Sequence, residues 1–429
     1  MMRTTIFLLG FCLGIAGLEA AGKYPGTPDK PSCVYKVGET ASIAIHMDDD
    51  DGKPLANTEF TVQTVGDASI KDKKYQLKTD QEGNATLKLT LNQPGFIRCF
   101  IPKETPKGKD KPVAGIAFEP EKLQPALPKP EDFDAYWDKI LAELHALPLD
   151  ATVTPVDTGR TDVVAYEVSI ATPDPQAPAR GFLAHPADAS PKSLPARLLT
   201  YGAGTFKVAP PLEVAARGCL VFAVNPHSLP SDKPKEFYDD IRKNELFRYQ
   251  LKGLPDRDKL YMRNMAIRAY RALMFLKSRP EWNGNKLAVS GSSQGGWQAL
   301  IMAGLDPSVG ACVAFVPGSS DTAGTSIGRD GSWKRFFILG EHVANQENYM
   351  AYRYIDGVYF ASRIKSATCL VSAAFHDATV APSSIYCAYN AIPSPNKRMI
   401  NDIDAGHATP KATRQKGEEF IEEYFAKRP

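Results

Sequence analysis

A chain of 429 residues is longer than one ordinary domain and points to two or three. At 43% hydrophobic and 23% charged, with no internal repeat or low-complexity segment, its composition is ordinary for a soluble globular protein. The formal net charge is only +2, from 51 basic and 49 acidic side chains, and no block of Lys and Arg interleaved with aromatics occurs. That balance excludes nucleic acid as a natural partner and suits a neutral substrate.

Residues 1–20 read as an export signal: Arg3 gives a basic start, residues 6–17 form an apolar run, and Ala20 and Ala21 supply small residues for cleavage. The run is too short to be a membrane span, and no later segment is apolar enough to be one. Cys12 raises a lipoprotein alternative, which the bulky Phe11 before it opposes. The expectation is cleavage near Ala20 and a secreted or periplasmic protein. Of the 7 cysteines, six lie beyond the signal, at spacings that match no disulfide framework or zinc motif. Export permits disulfides. Cys33 and Cys99 lie on strand-like segments and could bridge, whereas Cys219, Cys312 and Cys369 sit inside apolar runs and read as buried thiols.

Residues 22–120 carry short alternating runs around 41–45, 59–63, 85–89, 95–100 and 114–118, separated by turn signals such as Asp51-Gly52 and Pro94-Gly95. Period-two segments at this spacing predict a small all-β, immunoglobulin-like sandwich. The acidic run 48–51 lacks the alternating ligand spacing of a calcium loop and reads as a solvated hairpin turn. A Pro- and Lys-rich stretch over 102–130 supplies the last strand and a linker.

Residues 121–429 change texture. Pro130-Glu131-Asp132 opens a helix bearing Phe133, Tyr136, Trp137, Ile140 and Leu144 at helical spacing, with acidic residues in its first turn. Strand-like runs at 196–200, 219–224, 286–289, 311–316 and 368–373 then alternate with helical ones, the clearest being 262–277, 297–304 and 416–427. That alternation predicts a mostly parallel sheet in an α/β fold.

The sharpest local signal is KLAVSGSSQGGW at 286–297, a Gly-x-Ser-x-Gly between an apolar strand and a helix. Alone, the five residues describe a glycine-rich turn. In this context they are the nucleophile elbow of an α/β-hydrolase, in which glycines 291 and 295 remove side chains that would clash and Ser293 is lifted above the sheet. The N–H of Gln294, at the helix start, then points where an oxyanion forms.

In such folds the acid and then the histidine follow the serine in sequence. Of the histidines after Ser293, His407 lies in a loop between a strand-like run and the last helix. His342 falls in a region without strand character. Asp377 ends the apolar run 369–377, at the carboxyl edge where ligands bind, and His376 beside it reads as a structural residue. Asp321, after the preceding strand, is the competing acid. Asp402 and Asp404 lie near His407, but Asp404 would have to fold back within three residues. A second oxyanion donor fits the glycine turn Tyr201-Gly202-Ala203-Gly204, with the Ala203 N–H as the choice. No metal or organic cofactor is needed for this chemistry.

On these motifs the chain from about 115 to 425 resembles the carbohydrate esterase family of acetyl xylan esterases and cephalosporin C deacetylases. PEDFDAYW at 130–137 is similar to the family's first helix, the elbow carries its Gly-x-Ser-Gln-Gly-Gly, and DATVAPSSIYCAYNA at 377–391 is similar to its acid loop and following helix. Pro280-Glu-Trp-Asn before the elbow and Leu305-Asp306-Pro307 after it suggest the branch with an extra N-terminal β domain. There are departures. Asn225-Pro226-His227 replaces a common Arg-Gly-Gln, Ala203 stands where many members carry Tyr, and Val380-Ala381-Pro382 replaces Cys-Pro-Pro. These bear on the acyl pocket rather than on Ser293, Asp377 and His407, and His227 becomes a candidate substrate-binding residue.

The resemblance implies a secreted serine esterase that removes acetyl groups from xylan-derived sugars. Alternatives are a peptidase or other short-chain ester hydrolase on the same fold, or a carbohydrate-binding protein with an inactive hydrolase domain. The predicted partner is an acetylated oligosaccharide or other small ester, and an oligomer is compatible with the sequence. Trp297, Trp333, Phe336 and Phe337 are the aromatics that would line a sugar pocket, with Trp333 the leading candidate. The β-sandwich shows no planar aromatic platform and reads as a spacer or packing unit rather than a sugar binder.

Overall fold

A computed structural model describes residues 25–67, 73–102, 110–333 and 345–427. The export signal with Cys12, and His342, Phe336 and Phe337, lie outside the described residues.

The N-terminal part is β-rich. Strands β1 (Gly26–Pro28), β3 (Ala41–His46) and β6 (Asn84–Leu89) form one sheet in the order β1-β3-β6. Strands β2 (Val34–Tyr35), β4 (Glu59–Gly66), β5 (Lys74–Lys78), β7 (Gly95–Ile101) and β8 (Lys111–Phe118) form a second, ordered β2-β8-β7-β4-β5. Alternation explains the pairing: Ala41, Ile43 and Ile45 of β3 are buried while Ser42, Ala44 and His46 face outward. The acidic run forms a turn in which Asp49 Oδ1 accepts from the Asp51 and Lys53 N–H groups at 3.0 and 2.9 Å. Cys33 and Cys99 do not bridge, and all six described cysteines are free and buried. Burial pushes the Cys99 thiol up to about 12, as expected of an inert core residue.

Helix α1 (Phe133–Ala146) leads into a nine-stranded sheet made of β9 (Thr152–Val156), β10 (Val163–Ile170), β11 (Ala179–Pro186), β12 (Leu194–Thr200), β13 (Leu220–Val224), β14 (Trp282–Ser292), β15 (Ala311–Phe315), β16 (Thr368–Ala374) and β17 (Lys397–Asp402). The order is β17-β16-β15-β14-β12-β13-β11-β10-β9. The neighbours from β17 to β13 are parallel, and β11, β10 and β9 add an antiparallel margin beyond them. The antiparallel margin was not among the strands expected from sequence.

Among the described residues, eight further helices flank the sheet: α2 (Leu212–Ala215), α3 (Lys235–Lys243), α4 (Tyr261–Ser278), α5 (Gln294–Leu305), α6 (Gln346–Tyr352), α7 (Gly357–Ala361), α8 (Pro382–Ala391) and α9 (Lys411–Ala426). Sheet pleating divides the core: Leu287, Val289, Cys312 and Ala314 join the cluster that includes α4 and α5, while Ala288, Ala311 and Val313 face Phe420 and Ile421 of α9. Helix α4 has no Gly or Pro and is buried almost all round. Its fully buried Arg271 donates to the carbonyls of Leu144, Leu147, Pro148 and Ala171, so that the C-terminal carbonyls of α1 find a partner. Strand β12 has β13 on one side and β14 on the other, and the next chain segments leave in opposite directions. This switch point lies at the carboxyl ends of β12 and β14, the edge where ligands bind in such sheets.

Candidate active site

Ser293 stands between β14 and α5, at φ 58° and ψ −122°. The turn is held by its own backbone: the Ser293 N–H donates to the Phe315 carbonyl at 2.8 Å, and the Ser293 carbonyl accepts from Gly318 N–H at 3.0 Å. A Cβ at Gly295 would lie 2.5 Å from the Thr200 carbonyl oxygen, and one at Gly291 would lie 2.3 Å from Thr200 Oγ1. Both positions therefore need glycine, because the end of β12 crosses directly over the elbow. Thr200 Oγ1 ties the crossing together, 2.7 Å from the Gly295 carbonyl oxygen.

Ser293 Oγ lies 2.9 Å from His407 Nε2, and His407 Nδ1 lies 2.7 Å from Asp377 Oδ2. Asp377 is fully buried, and its other oxygen accepts from the N–H groups of Thr379 and Val380, each at 2.8 Å. A carboxylate fixed on one side by two backbone donors presents its second oxygen in one direction. The Nδ1 proton belongs on that side of the ring, which leaves Nε2 free to accept from the serine hydroxyl. Three residues spread over 114 positions of sequence thus converge at one sheet edge.

Gln294 is buried at the first position of α5, where helix N–H groups have no partner within the helix. The facing turn 202–204 abuts the serine: a Cβ at Gly202 would lie 3.6 Å from the Ser292 carbonyl oxygen and 3.8 Å from Ser293 Cβ. Ala203 is exposed at the tip of that turn. His227 is buried behind it. Its Nδ1 is 2.9 Å from Tyr261 OH, and its ring meets Tyr249 edge-on at 4.6 Å. Burial, helped by the Arg268 guanidinium, pushes its pKa down to about 3 and keeps the ring neutral. In the segment that replaces Arg-Gly-Gln, Asn225 Oδ1 accepts from the His227 N–H at 2.9 Å, and Arg268 donates twice to the Pro226 carbonyl.

Tyr249 was not anticipated. Its hydroxyl donates to Gln294 Oε1, and the Gly204 backbone lies beside it. One phenol therefore touches both segments that carry the expected oxyanion donors. No motif marks it, since its partner is 45 residues away and the contact is purely tertiary.

Trp333 is 3% exposed, with its backbone N–H donating to the Thr379 carbonyl at 3.1 Å. Its indole packs on Gly318, where a Cβ would lie 3.2 Å from the ring. It thus bridges the elbow and the acid loop. Trp297 is fully buried and donates to the Ile355 carbonyl at 2.7 Å, which makes it core. The competing acid Asp321 is buried at the start of a 3-10 turn, paired with Arg329 at 2.5 Å and bonded to the Ala126 N–H. Asp402 accepts from Thr413 Oγ1 at 2.5 Å. His376 is held beside the Arg98 guanidinium, and burial together with that charge pushes its pKa down to about 4. Among the described residues, no three His, Cys, Asp or Glu side chains gather as a metal ion requires.

Strand order and elbow are together those of an α/β-hydrolase. Within that class the chain belongs to the acetyl xylan esterase family, whose sequence profile matches residues 119–423, and it is accordingly a carboxylic ester hydrolase. The acetyl esterase Axe7A of Xylanibacter ruminicola is 30% identical over 422 residues, covering 94% of this chain and 93% of that one. The acetyl xylan esterase from Paenibacillus sp. R4 is 26% identical with a TM-score of 0.61, covering 71% of this chain and 98% of its own. Acetyl xylan esterase 1 from Thermoanaerobacterium sp. JW/SL YS485 superposes with the same TM-score of 0.61 at 22% identity, covering 72% of this chain and 98% of its own.

Proposed function

We propose that Ser293, His407 and Asp377 act as nucleophile, base and orienting acid in removing acetyl groups from the hydroxyls of xylan-derived sugars. The observation that carries this reading is the unbroken line from Ser293 Oγ through both nitrogens of His407 to a buried Asp377, at 2.9 and 2.7 Å. His407 Nε2 takes the hydroxyl proton as Ser293 Oγ bonds to the acetyl carbon, and Asp377 stabilises the imidazolium. The oxyanion is met by the N–H groups of Gln294 and Ala203. Collapse expels the sugar alkoxide, which takes the proton from His407 and leaves acetyl-Ser293. Water, deprotonated by the same nitrogen, then releases acetate and restores the serine.

Acetate as the acyl group is supported by the name of the Xylanibacter relative, an acetyl esterase, and xylan by the names of the two esterases of known structure. Export is supported by the apolar run after Arg3. The test is acetate release from acetylated xylo-oligosaccharides, beside a panel of longer acyl chains and aminoacyl substrates. Ser293→Ala should lower turnover by about four to six powers of ten. Wild-type protein that releases no acetate, or an active Ser293→Ala variant, overturns the reading. N-terminal sequencing of protein recovered outside the cytoplasm should begin near Ala21, and material that still begins at Met1 counts against export.

A further inference from the structure

The β-rich N-terminal region does not hang beside the hydrolase sheet. It packs directly behind the acid loop. Phe96 of β7 meets Phe375 edge-to-face at 5.2 Å and Tyr386 of α8 at 5.5 Å. Gly115 of β8 lies so close that a Cβ there would sit 2.6 Å from the Phe375 carbonyl oxygen. Phe375 is two residues before Asp377.

At the centre of this junction lies Asp67, just beyond β4 and 2% exposed. Its Oδ2 accepts from the Phe96 N–H at 2.8 Å. Its Oδ1 accepts from the Asp330 N–H at 3.0 Å and from Ser383 Oγ at 3.2 Å. Gly95 makes room: a Cβ there would lie 2.9 Å from Asp67 Cβ. Arg98 of β7 pairs with the Asp330 carboxylate at 2.6 Å. From Asp330 the chain runs three residues to Trp333, whose N–H holds the Thr379 carbonyl. The Thr379 N–H in turn holds Asp377 Oδ1. Ser383 sits in the first turn of α8, which closes the acid loop from its other end.

We propose that Asp67 is a positioning residue of the active site, which clamps both flanks of the acid loop from the N-terminal region and so fixes the direction in which Asp377 faces His407. The proposal rests on the serine–histidine–aspartate reading above. Its logic is one of donors: a buried carboxylate that accepts from three segments cannot be replaced by an amide without setting an N–H2 against one of those donors. The N-terminal region is then neither a spacer nor a sugar-binding module. It supplies a wall against which the catalytic carboxylate is set.

The experiment uses the full-length chain with Asp67→Asn and, as a milder change, Ser383→Ala. Ser383→Ala removes one donor and leaves Asp67 with the other two. Steady-state kinetics on 4-nitrophenyl acetate should give a kcat lowered about thirtyfold for Asp67→Asn and three- to tenfold for Ser383→Ala, with KM within twofold of wild type. The far-downfield proton resonance of the His407–Asp377 hydrogen bond should broaden or shift upfield in both folded variants. Loss of thermal stability with unchanged kcat and an unchanged downfield proton overturns the proposal. If Asp67→Asn does not fold, an unaltered kcat in Ser383→Ala overturns it as well. Ser293→Ala run alongside separates the two readings: an inactive Ser293→Ala with fully active Asp67→Asn leaves the mechanism standing and removes only the role of Asp67.

Discussion

Ser293 carries backbone angles of φ 58° and ψ −122°, a region in which a side chain costs on the order of 1–3 kcal/mol and which glycine occupies freely. Ser293→Gly should therefore abolish turnover and raise stability by about 1 kcal/mol, whereas Ser293→Ala should abolish turnover without that gain. Urea denaturation of the two variants checks it; equal midpoints would mean that the elbow is unstrained. Tyr249 acts through another residue, since its hydroxyl meets the Gln294 side chain rather than the reacting atoms. Tyr249→Phe leaves a buried amide oxygen unpaired and loosens the helix start at which one oxyanion N–H is proposed. We expect kcat to fall roughly tenfold with KM little changed. A rise in KM instead would place Tyr249 against the bound substrate.

Helix α9 shows how one element sets a residue that it does not contain. His407 precedes it by only a few residues, and the helix is pinned to the sheet by Arg197 of β12. This guanidinium is 6% exposed and bonds Glu418 with both of its ends at 2.7 Å. Glu418 is itself 36% exposed, so removing it strands a buried charge next to partly available solvent. Glu418→Ala should cost about 2 kcal/mol in urea unfolding, below the 3–5 kcal/mol typical of a fully buried pair, and Glu418→Gln should cost less. Elements with strong local signatures were legible in advance. The runs behind β12 to β16 are mostly apolar, and α4 and α5 combine length with freedom from proline. Strand β9 was hidden because it is an edge strand, exposed nearly throughout and bearing Pro155. Strands β1 and β2 are three and two residues long, too short to show a period. At the site, Ser293 was marked by its own neighbours, and Asp377 and His407 by their order along the chain. Tyr249 and Asp67 were not, because their partners lie 45 and 263 residues away and no local pattern records such a meeting.

Protonation ties the two halves of the molecule to pH. Burial, aided by nearby arginines, lowers His227 to about 3 and His376 to about 4, so between pH 6.5 and those values the unfolded chain binds protons that the folded one refuses. Stability on their account falls as pH falls. Burial raises Asp67 and Asp321 from 3.8 to about 6, so between those values the folded chain binds the extra protons and stability rises as pH falls. Burial also raises Asp356 and Asp402, which adds to Asp67 and Asp321 against the two histidines. Thermal midpoints should therefore hold or rise from about pH 6 to 4 and drop steeply below, where ion-paired carboxylates also titrate. Asp67→Asn removes one of these carboxylates, so its midpoint should lose ground to wild type across that same interval, and a curve parallel to wild type would contradict the assignment. The family profile begins at residue 119, as though the chain could be divided there. Yet a hydrolase core severed at that line would carry an open scar: the rings of Phe375 and Tyr386, stripped of Phe96, and a peptide oxygen that Gly115 no longer covers. Aromatic surface of that kind seeks other copies of itself. The β-rich region and the hydrolase sheet share one buried seam, and a cut at residue 119 would open it.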